Sequence, residues 1–221
     1  MKSLAAVLFD LDGTLLDTAQ ALAHALNRLL VEQGKPAPPF QQIRAVVSNG
    51  GNAMVSLGFG TSPGSPEHQA LYQRLLEIYG QQLTAHTKPF PGIEALLATL
   101  EQFGLPWGVV TNKPSLYTLP IMRELDLQPP CSAVVCADQV TQSKPHPEPM
   151  LRACELIGCP AHQTLYIGDH LRDIQAGRNA GMLTAAALYG YIPEHENPRD
   201  WQADFYFEHP DELTELLHSS F

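Results

Sequence analysis

The chain has 221 residues, which is enough for one domain with an insertion and for a core that needs no disulfide or metal support. Hydrophobic residues make up 44% and charged residues only 16%, a balance that excludes a disordered chain. The net charge of -10 would repel nucleic acid and anionic membranes. We therefore expect neither as a partner.

Short apolar runs predict the buried strands of a parallel sheet at residues 4–9, 107–111, 133–136, 164–168 and 183–188. Between the later runs, helical patterns cover residues 93–103, 115–125, 149–157 and 171–180. A glycine follows three of these four patterns directly, as is typical of a helix end. The alternation predicts an α/β fold with a doubly wound, Rossmann-like parallel sheet.

Residues 18–88 interrupt this alternation directly after the first strand. Two apolar faces with helical spacing lie in this interval, one formed by Leu22, Leu26, Leu29 and Leu30 and one by Leu71, Leu75, Ile78 and Tyr79. No strand pattern separates them, and residues 58–64 are interpreted as a flexible loop. We expect a small helical domain at residues 18–88, inserted into a core of residues 1–17 and 89–221.

The N-terminal apolar run ends in an acidic cluster at residue 10, before it reaches the ~7–15 apolar residues of a secretory signal. No apolar run approaches the ~18 residues that a membrane span requires. We therefore expect a cytoplasmic protein.

Four polar clusters follow predicted strands, at the edge where α/β sheets place their ligands. They are Asp10-Leu11-Asp12-Gly13-Thr14, Thr111-Asn112-Lys113-Pro114, Ser143-Lys144-Pro145 and Asp169-His170-Leu171-Arg172-Asp173. Asp10 and Asp12 can face one site, because alternate residues of an extended segment point the same way. Two carboxylates there suit a hard cation, a nucleophile and an acid/base group. Taken singly, each cluster also fits an ordinary turn, helix cap or surface lysine.

In this order, the four clusters resemble the four motifs of phosphatases in the haloacid dehalogenase superfamily, and the insertion resembles their helical cap. The resemblance implies that Asp10 is a nucleophile that forms an aspartyl-phosphate and that Asp12 is the general acid and base. It further implies that Thr111 and Lys144 hold the phosphoryl oxygens. Dehalogenases of the superfamily have no acid at the position of Asp12, so Asp12 favours phosphate esters.

The resemblance also implies a magnesium site. Asp10 and Asp169 would bind Mg²⁺ through their side chains and Asp12 through its backbone carbonyl, with Asp173 as an outer or water-mediated partner. Further contacts to phosphate or substrate are expected from Gly13, Asn112 and Lys113.

A finer resemblance, to phosphoglycolate phosphatases and N-acetylmuramic acid 6-phosphate phosphatases, rests on Thr111-Asn112-Lys113-Pro114, Tyr189-Gly190-Tyr191-Ile192 and Ser48 with Gly50-Gly51. It implies a small phosphorylated metabolite that carries a carboxylate. We expect Ser48, Asn49, Gly50 and Gly51 to bind that carboxylate through backbone N–H groups, an arrangement that would be strengthened if a helix started at Asn52.

Other functions remain open at this stage. A phosphosugar mutase or a phosphatase of another sugar phosphate shares the same motifs. A phosphorelay receiver also combines acids, a threonine and a lysine, but it has no helical insertion and places its acceptor on a later strand. The chain is expected to act as a monomer or homodimer.

Overall fold

The computed structural model describes residues 4–193 and 195–220, so residues 1–3, 194 and 221 of the predicted core lie outside the described residues. The chain divides into two compact units, Met1–Leu16 with Pro89–Phe221 and Asp17–Lys88. The strands are β1 (Ala6–Phe9), β2 (Leu16–Asp17), β3 (Lys88–Pro89), β4 (Trp107–Thr111), β5 (Ala133–Cys136), β6 (Thr164–Gly168), β7 (Leu183–Ala187) and β8 (Phe205–Phe207). The two-residue strands β2 and β3 lie at the junctions between the units.

The second unit is helical, with α1 (Ala19–Glu32), α2 (Phe40–Arg44), α3 (Gly50–Phe59) and α4 (Pro66–Gly80). Helices α1 and α4 are those that the leucine patterns predict, and they pack against each other. The interpretation of residues 58–64 as a loop is wrong at its start, because α3 continues to Phe59. A Cβ on Gly58 would lie 3.1 Å from Leu26 and 3.3 Å from Leu30, so this glycine permits close packing of α3 on α1.

The first unit contains α5 (Ile93–Gln102), α6 (Ser115–Leu125), α7 (Glu148–Ile157), α8 (Leu171–Asn179) and α9 (Asp211–Ser220). The first four agree with the sequence prediction to within one residue at each end. Gly158 ends α7 in the left-handed conformation, with φ +80, as the helix-stop signal predicts.

Within the described residues, β5-β4-β1-β6-β7-β8 form a sheet of six parallel strands. Counted along the chain without β2 and β3, this order is 3-2-1-4-5-6, which confirms the doubly wound, Rossmann-like fold class that the sequence predicts. Helices α7 and α8 share one apolar cluster with Leu8, Val110 and Tyr166 of the sheet. The strand order reverses between β1 and β6, which is where such sheets bind ligands.

Strand β8 and helix α9 have no counterpart among the predicted elements. β8 has only three residues at the edge of the sheet, and only Phe207 of them is buried. In α9, the spacing of Leu213 and Leu217 and the acids Asp211 and Glu212 in the first turn are a readable helix signal. Across the described residues, every helix is too short or too polar to cross a bilayer.

Candidate active site

Three strand ends and one loop bring the predicted residues of the first unit together. Asp10 follows β1, Thr111 ends β4 and Asp169 follows β6, while Lys144 lies in the loop between β5 and α7. All four side chains are buried, although charged side chains are almost never buried without a partner. The four sequence clusters therefore form one polar site in the interior of the first unit.

The ammonium group of Lys144 is the centre of this site. Its Nζ lies 2.8 Å from Asp10 Oδ1 and 2.7 Å from Asp173 Oδ1. Its Nζ also lies 2.9 Å from the hydroxyl of Tyr166 and 3.1 Å from the carbonyl of Val110. Burial favours the neutral amine, but the two carboxylates outweigh it and raise the pKa of Lys144. A cation is thus held next to the predicted nucleophile.

Three carboxylates crowd this cation. One oxygen from each of Asp10, Asp169 and Asp173 lies within 4.8 Å of the others. Burial, partly offset by the Lys144 cation and reinforced by Asp173, raises the pKa of Asp10 to about 6. Burial and the charges of Asp10 and Asp173 raise the pKa of Asp169 to about 8. One lysine does not neutralise three buried acids, so the site has a deficit of positive charge.

This donor set fits a divalent cation of the hard type. Such cations prefer carboxylate oxygens, and a bound cation would relieve the repulsion that raises the two pKa values. Asp173 is already engaged, because its Oδ1 meets Lys144 and its Oδ2 accepts from the backbone N–H of His170 at 3.0 Å. Asp10 and Asp169 are therefore the side chains best placed to be ligands, and Asp173 holds Lys144 and the start of α8.

The carboxylate of Asp169 packs against glycines. A Cβ on Gly13 would lie 2.0 Å from Asp169 Oδ2, and a Cβ on Gly190 would lie 2.3 Å from Asp169 Cβ. Gly13 also has φ +82, and its N–H donates to the carbonyl of Leu16 at 3.0 Å. That N–H is used within the turn, and the phosphate contact predicted for Gly13 stays a prediction. In the structure, Gly13 permits the close approach of Asp169.

Asp12 and Lys113 form a separate ion pair. Lys113 Nζ donates to both oxygens of Asp12, at 2.9 and 3.1 Å, and this lysine side chain is 8% exposed. The sequence predicts that Lys113 contacts phosphate. The structure gives its ammonium group to the predicted acid/base residue, so Lys113 is placed to orient Asp12.

Asn112 is also engaged in a way that the sequence analysis does not anticipate. Its Nδ2 donates to the carbonyl of Lys144 and its Oδ1 accepts from the N–H of Lys144, each at 3.0 Å. Both polar atoms of the side chain are therefore used by one residue's main chain. These contacts fix the Lys144 loop, and the phosphate contact expected of Asn112 stays a prediction.

In the helical unit, Ser48 and Asn49 belong to a 3₁₀ turn, Val47–Asn49, and α3 begins at Gly50 rather than at Asn52. Gly50 has φ +79 and open space around its missing Cβ. A Cβ on Gly51 would lie 2.8 Å from the Tyr72 ring. Gly51 therefore serves the packing of α3 on α4. The predicted carboxylate contact at these residues stays a prediction.

Comparison with known proteins shows the family to which this chain belongs. The family model for haloacid dehalogenase-like hydrolases matches residues 7–187. An N-acetylmuramic acid 6-phosphate phosphatase from Pseudomonas aeruginosa is 47% identical over 214 residues, which cover 97% of this chain and 95% of that protein. A phosphoglycolate phosphatase from Xanthomonas campestris pv. campestris is 42% identical over 210 residues and 95% of each chain.

Among solved structures, a crystal structure described as a predicted phosphoglycolate phosphatase from Haemophilus somnus has a TM-score of 0.86. It covers 98% of this chain and 99% of that chain, at 24% identity. At this identity, the likeness concerns the fold alone.

Proposed function

Because the chain belongs to the haloacid dehalogenase-like hydrolases, we propose that it is a phosphomonoesterase in which Asp10 is the nucleophile. The observation that carries the proposal is the buried contact between Asp10 and Lys144, at 2.8 Å, beside the carboxylate of Asp169. A carboxylate and a phosphate ester repel each other, and attack requires fixed positive charge at the site. Lys144 supplies part of that charge.

The reaction has two displacements at phosphorus. A carboxylate oxygen of Asp10 forms a bond to phosphorus as the ester oxygen leaves, and Asp12 gives a proton to the departing oxygen. A water molecule then loses its proton to Asp12 and attacks phosphorus, which releases phosphate and restores Asp10. Lys113 orients Asp12 for both transfers, since it holds both oxygens of that carboxylate. Thr111 and Lys144 are proposed to hold the phosphoryl oxygens.

Mg²⁺ is the proposed cofactor, with Asp10, Asp169 and the backbone carbonyl of Asp12 as ligands. When bound, it supplies positive charge to the phosphoryl oxygens. The buried acids support this assignment, because a divalent cation offsets the deficit of positive charge around them.

The proposed substrate is N-acetylmuramic acid 6-phosphate or 2-phosphoglycolate. These are the substrates in the names of two relatives that are 47% and 42% identical to this chain. We further propose that the helical domain at residues 18–88 is the cap that selects the leaving group and that Ser48, Asn49, Gly50 and Gly51 bind its carboxylate. The first turn of α3 supports this, because no side chain caps its N–H groups, whereas the N–H of Asn49 in the 3₁₀ turn donates to the carbonyl of Val46 at 3.0 Å.

The test is a panel of phosphate esters with purified protein and Mg²⁺. The proposal predicts phosphate release that excess chelator abolishes, with the highest kcat/KM on one of the two carboxylated esters. Undiminished activity after thorough removal of metal would contradict the cofactor assignment. A preference for neutral sugar phosphates would leave a phosphatase but overturn the carboxylate assignment.

A phosphosugar mutase would return the phosphoryl group to the sugar, so isomerisation without net phosphate release would identify it. A receiver-like switch is disfavoured by the strand order. Receivers have the flavodoxin-like order 2-1-3-4-5, whereas this sheet has the order 3-2-1-4-5-6 with Asp10 after its first strand. A phosphoprotein that lasts for minutes without turnover would favour the switch. The cytoplasmic location and the oligomeric state stay predictions.

A further inference from the structure

A buried tyrosine hydroxyl lies against the ammonium group of Lys144, outside all four sequence clusters. Tyr166 is in the middle of β6 and is fully buried. Its ring belongs to the apolar cluster beneath α7 and α8, so packing fixes its position. Its oxygen lies 2.9 Å from Lys144 Nζ, 2.9 Å from the carbonyl of Val110 and 3.2 Å from Asp173 Oδ1.

The protons in this group match the acceptors. The ammonium of Lys144 has three protons and the hydroxyl of Tyr166 has one. Lys144 can donate to Asp10, Asp173 and the Tyr166 oxygen, while Tyr166 donates to Val110. Each of the four buried oxygens then receives one proton from Lys144 or Tyr166, and Asp10 Oδ1 also accepts from the N–H of Leu11 at 2.7 Å. A closed set of this kind fixes the direction of every donor, because an unmatched buried acceptor is costly.

The surroundings of the Lys144 ammonium group change during the proposed reaction. Asp10 loses its negative charge when it carries the phosphoryl group, and one proton of Lys144 must turn toward a phosphoryl oxygen. The contact of Lys144 with the Tyr166 hydroxyl involves no reacting atom, so it holds the ammonium group throughout. The Tyr166 hydroxyl is also within reach of Asp173, and it can supply that carboxylate when a lysine proton turns away.

We propose that Tyr166 is a positioning residue for phosphoryl transfer, which acts through Lys144 by holding its ammonium group at the nucleophile. The proposal rests on the proposed function, since it needs Asp10 to be the attacking group. A purely structural role would be to satisfy the carbonyl of Val110. In that case, removal of the hydroxyl would change stability but not the chemical step.

The Tyr166→Phe variant separates these roles, because it removes one oxygen and keeps the packed ring. Val110 then takes the third proton of Lys144, so no buried oxygen lacks a donor and the protein is expected to fold. With p-nitrophenyl phosphate, we expect kcat to fall about tenfold and KM to change by less than about twofold, the pattern of an interaction made in the transition state. The inhibition constant of vanadate, which mimics that state, should rise about tenfold, while that of phosphate stays unchanged.

The matched control is Tyr206→Phe, which removes a hydroxyl from another strand of the same sheet. That hydroxyl donates to the carbonyl of Arg199 at 3.3 Å, away from Lys144. We expect wild-type kcat and vanadate inhibition in this variant. The thermal unfolding of both variants is also measured, so that a smaller fraction of folded protein is not mistaken for a fall in kcat.

The second arm places Tyr166→Phe in the Lys144→Met background. If Tyr166 acts through Lys144, its loss causes no further fall in kcat there. A wild-type kcat in the single variant, or a further tenfold fall in the Lys144→Met background, would overturn the proposal. Neither result would affect the proposed function, which fails separately if Asp10→Asn retains turnover.

Discussion

The side chain of Asn112 holds the main chain of Lys144 at two points, with its amide donating to the carbonyl and accepting from the N–H at 3.0 Å each. Asn112 directly follows Thr111, the last residue of β4. The contact therefore joins the loop after β4 to the loop after β5. It fixes the root of the lysine side chain relative to Thr111, the other residue proposed to hold the phosphoryl group.

The Asn112→Asp variant tests this contact most sharply. The new carboxylate would have the same volume as the amide, and one of its oxygens could still accept from the N–H of Lys144. Its second oxygen would replace the amide donor and repel the carbonyl oxygen of Lys144. A buried carbonyl that loses its donor costs about 1–3 kcal/mol, so we expect kcat to fall roughly 10–100-fold, with unchanged inhibition by phosphate. The matched control is Asn179→Ala, which removes an exposed amide bound to Pro145 of the same loop. If Asn112 instead binds phosphate, the fall in kcat should be accompanied by weaker inhibition by phosphate.

The pair of Lys113 and Asp12 gives a second prediction, on leaving-group dependence. The Lys113→Met variant removes the cation that orients Asp12 and keeps most of the side-chain volume. Proton donation matters most for a poor leaving group, so kcat should fall roughly tenfold on an alkyl phosphate and little on p-nitrophenyl phosphate. A steady-state comparison of the two esters measures this. Equal increases in KM on both would show that Lys113 contacts the phosphate itself.

The third prediction concerns pH and metal. In the protein without bound cation, Asp10 and Asp169 have pKa values of about 6 and about 8, above the usual value of 3.8. The folded state then holds more protons than the unfolded state between about pH 4 and pH 8, so its stability falls as pH rises through this window. Mg²⁺ competes with those protons. We therefore expect Mg²⁺ to raise Tm more at about pH 8 than at about pH 5.

The control for this prediction is Asp169→Asn, which removes the carboxyl group with the higher pKa. It should flatten the fall of stability with pH and reduce the rise in Tm that Mg²⁺ causes. A rise in Tm that is equal at both pH values, or equal in the variant, would contradict the assignment of Asp169 as a ligand.

The fourth prediction concerns the leaving group. Gly51→Val is a poor probe of the carboxylate contact, because the new side chain would meet Tyr72. Asn49→Asp is a better probe of this contact. Asn49 is the N-cap of α3, a position where Asp is as favourable as Asn, so the helix should be retained. The new negative charge would repel a substrate carboxylate. We expect kcat/KM to fall about tenfold on the carboxylated ester and to stay unchanged on p-nitrophenyl phosphate. Equal falls in kcat/KM on both esters would show that this turn does not bind the substrate carboxylate.

Five strands of the six-stranded sheet, and the positions of the motif residues at their ends, were predictable because their signals are local. A buried strand is a short apolar run, and a polar residue directly after it must lie at the edge of the sheet. Asp10, Thr111 and Asp169 follow this rule. The two ends of helix α3 were not predicted, because its three glycines suggest a loop, whereas Gly51 and Gly58 permit close packing on helices that only the folded structure brings near.

The contacts of Asn112, Lys113 and Tyr166 could not be predicted, because each depends on a partner far away in the sequence. Lys113 pairs with a residue 101 positions earlier, and Asn112 with one 32 positions later. Tyr166 looks like any aromatic core residue, since a strand pattern shows that a side chain is buried but not what its hydroxyl meets.

The aspartyl-phosphate on Asp10 is the central claim, and trapping it tests that claim most directly. The Asp12→Asn variant should still react with p-nitrophenyl phosphate, whose leaving group needs little protonation, but it should hydrolyse the intermediate slowly. Acid quenching and peptide mass spectrometry should then find one phosphoryl group, on Asp10, which is absent from the Asp10→Asn/Asp12→Asn double variant. A phosphoryl group on another residue, or phosphate release with Asp10 unmodified throughout, would contradict the account.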